Sequence, residues 1–204
     1  MSTRTKILTA AVQLFNQQGT GQVSTNHIAK AAGISPGNLY YHYRNKTEII
    51  GAILDQMYTR WDEVWTFAAE EPVTLDGFLG KLRLNYTLLW EYRFFYREAI
   101  VLLGLDGELK SRHIRMTEQR FVDQAAFARQ IAEAGILRGL EEPEQLRRLL
   151  AACWMIANNW LGFVEMNGME VTEQQMEEGI AVLLTVLRPY LNEGAKPDDE
   201  DANH

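Results

Sequence analysis

The sequence has one cysteine in 204 residues, Cys153, which excludes an intramolecular disulfide and any site built from several thiolates. Its neighbours Leu149, Leu150, Trp154, Met155 and Ile156 are apolar, a setting in which cysteine packs as a small hydrophobic side chain rather than reacts. No uninterrupted run of about 18 apolar residues occurs, and the N-terminus lacks an apolar signal core. A cytoplasmic chain that meets no membrane is therefore expected. Also missing are a Ser-His-Asp pattern, paired carboxylates in an apolar setting, metal-ligand spacing and a phosphate-binding loop, so no enzyme, cofactor or metal site is expected. There is no internal repeat.

The most informative absence is of acid. Residues 1–47 hold Arg4, Lys6, Lys30, Arg44 and Lys46 and not one Asp or Glu, so all 27 acids lie in the remainder, and the net charge of -7 conceals a basic head on an acidic body. A chain of net negative charge is a poor polyanion binder as a whole; a segment of this kind is a good one.

What is present is helical periodicity. At 47% hydrophobic the chain can bury a substantial core. Ile7, Leu8, Ala11, Leu14 and Phe15 predict a helix over residues 3–18, stopped by Gly19. Ser24 is placed to cap a second helix over residues 25–32, with Ile28 and Ala31 or Ala32 inward. Its capping box is incomplete, because His27 stands where Glu or Gln would reach back; His27 reads either as a phosphate partner or as a plain surface histidine. Gly33 makes a turn, and Ser35 caps a third helix that opens with Pro36. Leu39 and Tyr43 face the core, leaving Asn38, Tyr41 and His42 outward and Tyr40 at the flank. Two short helices around a tight turn form a helix-turn-helix signature.

The chemistry of the third helix suits DNA. Ser35, the Gly37 backbone and Asn38 occupy the first turns, from which base edges are reached, and Asn is a bidentate partner for adenine. Tyr40, Tyr41 and His42 suit phosphates or thymine methyls, while Thr25 and Lys46 stand at helix N-termini that attract phosphates. The plain alternative is that Tyr40 or Tyr41 packs in the core.

The run Ile-Ala-Lys-Ala-Ala-Gly-Ile-Ser-Pro-Gly-Asn-Leu-Tyr-Tyr-His-Tyr-Arg-Asn-Lys at residues 28–46, with the earlier Ile-Leu-x-Ala-Ala-x-x-Leu-Phe helix and its Gly19, resembles the DNA-binding domain of the TetR family of one-component regulators. The resemblance covers about the first 55 residues; beyond them length and helical character match. It implies an all-α fold: a three-helix DNA-binding domain over residues 1–47 and an effector-binding and dimerisation domain over residues 48–192; the run Asp-Asp-Glu-Asp makes residues 193–204 an acidic tail expected to be disordered. It implies DNA contacts at Thr25, Ser35, Gly37, Asn38, Tyr40, Tyr41, His42 and Lys46. Pro36 stands where many relatives carry Lys, which removes one contact. A homodimer on double-stranded operator DNA, most often as a repressor released by a small effector, follows. The wording Ser-Thr-Asn-His-Ile and Ser-Pro-Gly-Asn-Leu-Tyr-Tyr-His is also similar to a subgroup associated with polyhydroxyalkanoate and fatty-acid metabolism.

The rest of the chain reads as helices over residues 46–67, from Thr74 or Asp76 to about residue 90, 92–105 (short and buried), 108–134, 143–167 and 172–191, the last opened by a box-like Thr172 and Gln175. The final two are too apolar for one core face and are expected to pair with a symmetry mate. Trp61, Trp65, Tyr86, Trp90, Phe94, Phe95, Tyr96, Met116, Phe121, Trp154 and Trp160 exceed what a bundle needs. An apolar effector pocket lined by part of this set, notably Trp61, Trp65, Tyr86, Trp90, Phe94, Phe121 and Trp154 with Asn158 as its polar group, competes with a plain core reading. Lys110, Arg112, His113 and Arg115 read as an acid-binding rim or as a solvated face. The rival to a regulator is a helical carrier or sensor of a lipophilic compound with a vestigial DNA head.

Overall fold

Capping residues place the first three helices. α1 (Thr3–Gln18) is capped by Ser2, whose hydroxyl accepts from the Thr5 amide, and ends at Gly19, whose φ of 75° lies where a Cβ is strained. α2 (Thr25–Ala31) and α3 (Pro36–His42) flank a turn at Gly33, φ 68°. The computed structural model describes residues 1–66 and 72–192. Among them follow α4 (Lys46–Val64), α5 (Leu75–Glu91), α6 (Arg93–Leu105), α7 (Gly107–Glu133), α8 (Pro143–Met166), α9 (Glu173–Leu187) and a 3-10 turn, Arg188–Tyr190. Pro189 stops α9 short of the expected Leu191 by removing an amide donor. Phe67 and the tail over residues 193–204 lie outside the described residues.

The chain forms two compact units, Met1–Arg60 with Glu91–His113, and Trp61–Trp90 with Ile114–His204. α6 falls in the first unit because it packs on α1. Phe15 and Phe94 meet at 5.3 Å between ring centroids. The Asn16 amide bridges the chain at the start of α6: its Nδ2 donates to the Glu91 carbonyl (2.7 Å) and its Oδ1 accepts from the Phe94 amide (3.0 Å). Tyr92, the N-cap of α6, makes no side-chain capping bond to the helix, so Asn16 caps α6 from another helix.

The first unit has its core in Ile7, Ala11, Phe15, Ile28, Leu39, Ile49, Ile53, Leu54, Met57 and Phe94. α6 is not the fully buried helix its composition predicts: Phe94, Phe95 and Leu102 face inward, while Ile100, Val101 and Leu105 are exposed. On α2 the buried pair is Ile28 and Ala29, and Ala31 is exposed, since a helix of two turns has room for only a narrow inward strip.

In the second unit α8 packs along α9. The crossing needs Gly179, whose missing Cβ would lie 2.6 Å from Tyr86 Cε1 and 2.7 Å from Trp160 Cδ1. The gap lets the Tyr86 hydroxyl donate to the Gly179 carbonyl at 2.8 Å. Thr172 caps α9 by accepting from the Gln175 amide at 3.4 Å. On α7 the apolar Ile114 and Val122 are exposed. Arg120 is buried instead, its guanidinium 4.3 Å from the Trp61 ring centroid and its Nε 3.4 Å from Asp62. α8 buries only 28% of its most apolar 18-residue stretch, whose mean hydropathy of 1.2 would by length and composition alone allow a membrane span. Met155, Phe163 and Met166 are the large side chains it leaves uncovered.

Candidate nucleic-acid interface

α3 is built to hold its N-terminus open. Ser35 accepts from the Asn38 amide (3.2 Å), and Pro36 fills the position where an amide would be idle. Leu39, fully buried, and Tyr43, 4% exposed, sit four residues apart and fix the helix on the core. That anchoring turns Ser35, Pro36, Gly37, Asn38, Tyr40 and Tyr41 into solvent, with His42 half-buried. A Cβ at Gly37 would meet nothing within 4 Å, so no neighbour inside the protein requires glycine there.

The flank is ordered by hydrogen bonds. Thr25 Oγ1 and Tyr40 Oη share one at 2.9 Å, which ties the first turn of α2 to α3. Tyr41 is 84% exposed and stands edge-on to His42 at 5.1 Å. At α2 the structure corrects the sequence: Ser24 accepts from the His27 amide, and His27 Nδ1 accepts from the Ser24 amide at 3.3 Å, so the capping box is complete with histidine in the reciprocal place.

Lys46 is placed differently from the other expected contacts. Its Nζ donates to the carbonyls of Thr20 (2.6 Å) and Val23 (3.0 Å), so its charge ties α4 to the loop before α2. Thr20 in turn gives its amide and hydroxyl to the Glu98 carboxylate on α6, the amide at 3.0 Å. Arg44 lies 3.9 Å from Glu48, the first acid of the chain. Asn16 and Glu98 were missed by sequence reading, because the groups they hold lie more than 70 residues away in the chain.

The expected effector residues are divided between the two units. Phe94 belongs to the first unit and packs on Phe15, whereas Trp61, Trp65, Tyr86, Trp90, Phe121, Trp154 and Asn158 belong to the second. Within that unit Phe121 and Trp154 lie 4.4 Å apart, Trp154 Nε1 donates to Gln124, and Trp65 stands edge-on to Phe127 at 5.4 Å. Tyr86 is committed to Gly179, and burial pushes its phenol pKa up, keeping it a donor. Burial likewise raises the Cys153 thiol to about 11, as a packing role requires. Of the cationic run, Arg112 pairs with Asp55 and His113 Nδ1 bonds Tyr58 Oη at 2.7 Å. A cavity of about 490 Å³ lies in the first unit, between the loop at Gln18–Gln22, Lys46 and the C-terminal half of α6; none of the expected effector residues lines it.

Comparison with known proteins agrees with this geometry. The family described as "Bacterial regulatory proteins, tetR family" matches residues 7–53, and that described as "Bacterial transcriptional repressor" matches residues 56–198. The chain is 31% identical over 125 residues to the HTH-type transcriptional regulator UidR of Escherichia coli K12, covering 57% of this chain and 61% of UidR. A TetR-family regulator from Marinobacter aquaeolei VT8 superposes with a TM-score of 0.84 at 32% identity, over 95% of this chain and 93% of that one. SmeT of Stenotrophomonas maltophilia, in complex with triclosan, shares the fold with a TM-score of 0.66 at 19% identity, over 98% and 96% of the two chains.

Proposed function

Because this chain belongs to the TetR family of bacterial transcriptional regulators, we propose that it is a homodimeric repressor: its α2 and α3 bind a pseudo-palindromic operator in duplex DNA, which is released when a small apolar effector enters the body. The observation that carries the DNA-binding part is the outer face of α3, where Ser35, Gly37, Asn38 and Tyr41 are exposed on a head of 47 residues without an acid. Asn38 offers a bidentate amide to an adenine edge, and Tyr40, Tyr41 and His42 meet sugar, phosphate or methyl groups. Thr25 acts through Tyr40 as well as directly. Pro36 supports the helix without offering a donor.

One head spans too few base pairs for specificity, so two copies related by a two-fold axis read the two half-sites. The uncovered Met155, Phe163 and Met166 on α8 supply the apolar surface for that pairing. The effector sits among the aromatics of the second unit, with Asn158 as a polar partner and fatty acyl compounds as the class to try first. Work in the cytoplasm, where the chromosome is, follows from the same reading.

A gel-shift with the region upstream of the protein's own gene tests it. Retarded DNA that is lost in the Asn38→Ala/Tyr41→Ala double variant is expected; equal retardation by the variant overturns the contact assignment. A rise in melting temperature with an acyl-CoA series, accompanied by weaker retardation, is expected for the effector class; no response across the series removes it.

A further inference from the structure

We propose that Thr20 is the junction through which α6 and α4 jointly position the helix-turn-helix, with Glu98 the positioning residue on the α6 side and Lys46 on the α4 side. Its biological meaning rests on the DNA-binding reading, but the geometry lies wholly within the first unit.

Thr20 is a polar residue only 6% exposed, and its polar groups are divided between two helices. Its amide donates to both carboxylate oxygens of Glu98, at 3.0 and 3.2 Å, and its hydroxyl donates to the second of them. Its carbonyl accepts from Lys46 Nζ at 2.6 Å. Bonds to ionised partners are the stronger class, and partial burial strengthens them further. The same ammonium holds the Val23 carbonyl, one residue before the Ser24 cap of α2. The loop between α1 and α2 is thus gripped at both ends.

Two further features make the grip sensitive to where α6 lies. Gly19 has a φ of 75°, and a Cβ there would come within 2.8 Å of Glu98 Oε1, so the carboxylate fits against the loop backbone with no room for a side chain. Four residues before Glu98, on the same face of α6, the Phe94 amide is held by Asn16 at the end of α1. α6 therefore meets the head at two points one turn apart. A rotation of α6 by one residue would break both, because each depends on a side chain meeting fixed backbone groups. Sliding α4 at Lys46 pulls on the same threonine.

The test combines amide hydrogen exchange with operator titration on the full-length protein, using the gene's own upstream region as the DNA probe. In Glu98→Ala, exchange over residues 19–31 is expected to rise while α8 and α9 keep wild-type protection. Operator affinity is expected to fall about tenfold, the effect of losing a charge-assisted bond, with an unchanged salt slope. Thr20→Val is expected to act in the same direction, and the double variant to bind no more weakly than Glu98→Ala alone, the non-additivity of one shared interaction. Glu98→Gln, which keeps an acceptor, is expected to restore most of the affinity. Wild-type exchange over residues 19–31 in Glu98→Ala, or additive losses in the double variant, overturns the proposal. If the wild-type protein itself ignores the DNA, the regulator reading fails, and the exchange arm alone still decides the junction.

Discussion

Lys46 illustrates how a charged side chain of the head can hold backbone groups within it. Its ammonium sits on the Thr20 and Val23 carbonyls, so Lys46→Ala is expected to weaken operator binding through loss of order in the loop. The slope of log affinity against log salt is expected to stay at the wild-type value in a fluorescence anisotropy series. A direct phosphate contact would instead lower the slope by about 1. Tyr41 is the opposite case: at 84% exposure it does little for folding, and Tyr41→Ala is expected to leave stability within about 0.5 kcal/mol by thermal melts. The outward set of α3 was legible because Leu39 and Tyr43, four apart, define an inward face and leave the rest outside. The role of Lys46 was not, since its partners lie 26 and 23 residues earlier in the chain and no local pattern encodes them. His27 was misjudged for a related reason: the capping-box rule is written for Glu and Gln, yet an imidazole nitrogen accepts as well.

Among the elements, boundaries follow local chemistry and packing does not. Ser24, Ser35, Thr172, Gly19 and Gly33 announce the ends of their helices, and the structure places caps or left-handed turns at each. Where α6 docks is set by Asn16, Phe15 and Thr20 on or just after α1, so a helix read as buried from its composition has an exposed apolar half at Ile100, Val101 and Leu105. The α8 and α9 crossing is equally non-local. Gly179 sits against Tyr86 and Trp160, and a methyl there would collide with rigid rings rather than with a movable side-chain end. Gly179→Ala is therefore expected to destabilise by about 1–3 kcal/mol, the cost of overpacking a filled core, measured by urea unfolding. Tyr86→Phe, which removes only the bond to the Gly179 carbonyl, is expected to cost less, about 1 kcal/mol.

For the whole molecule the proposed reading joins two features, the uncovered apolar side chains of α8 and the acid-free head: it takes the first to pair two copies and the second to read one half-site of a duplex each. Phe163→Asp, at a side chain half-exposed in the single chain, is expected to give monomers in sedimentation velocity. Operator affinity is expected to collapse with it, because each half-site alone binds weakly. The most direct test of DNA recognition is the affinity of the wild-type protein for its upstream region and for an unrelated duplex of equal length, each measured across a salt series. The expected result is tight binding to the upstream region, at least about 1000-fold above the unrelated duplex at physiological salt, with both affinities falling linearly on a log–log salt plot. Equal affinity for the two duplexes, or an affinity indifferent to salt, would contradict the account.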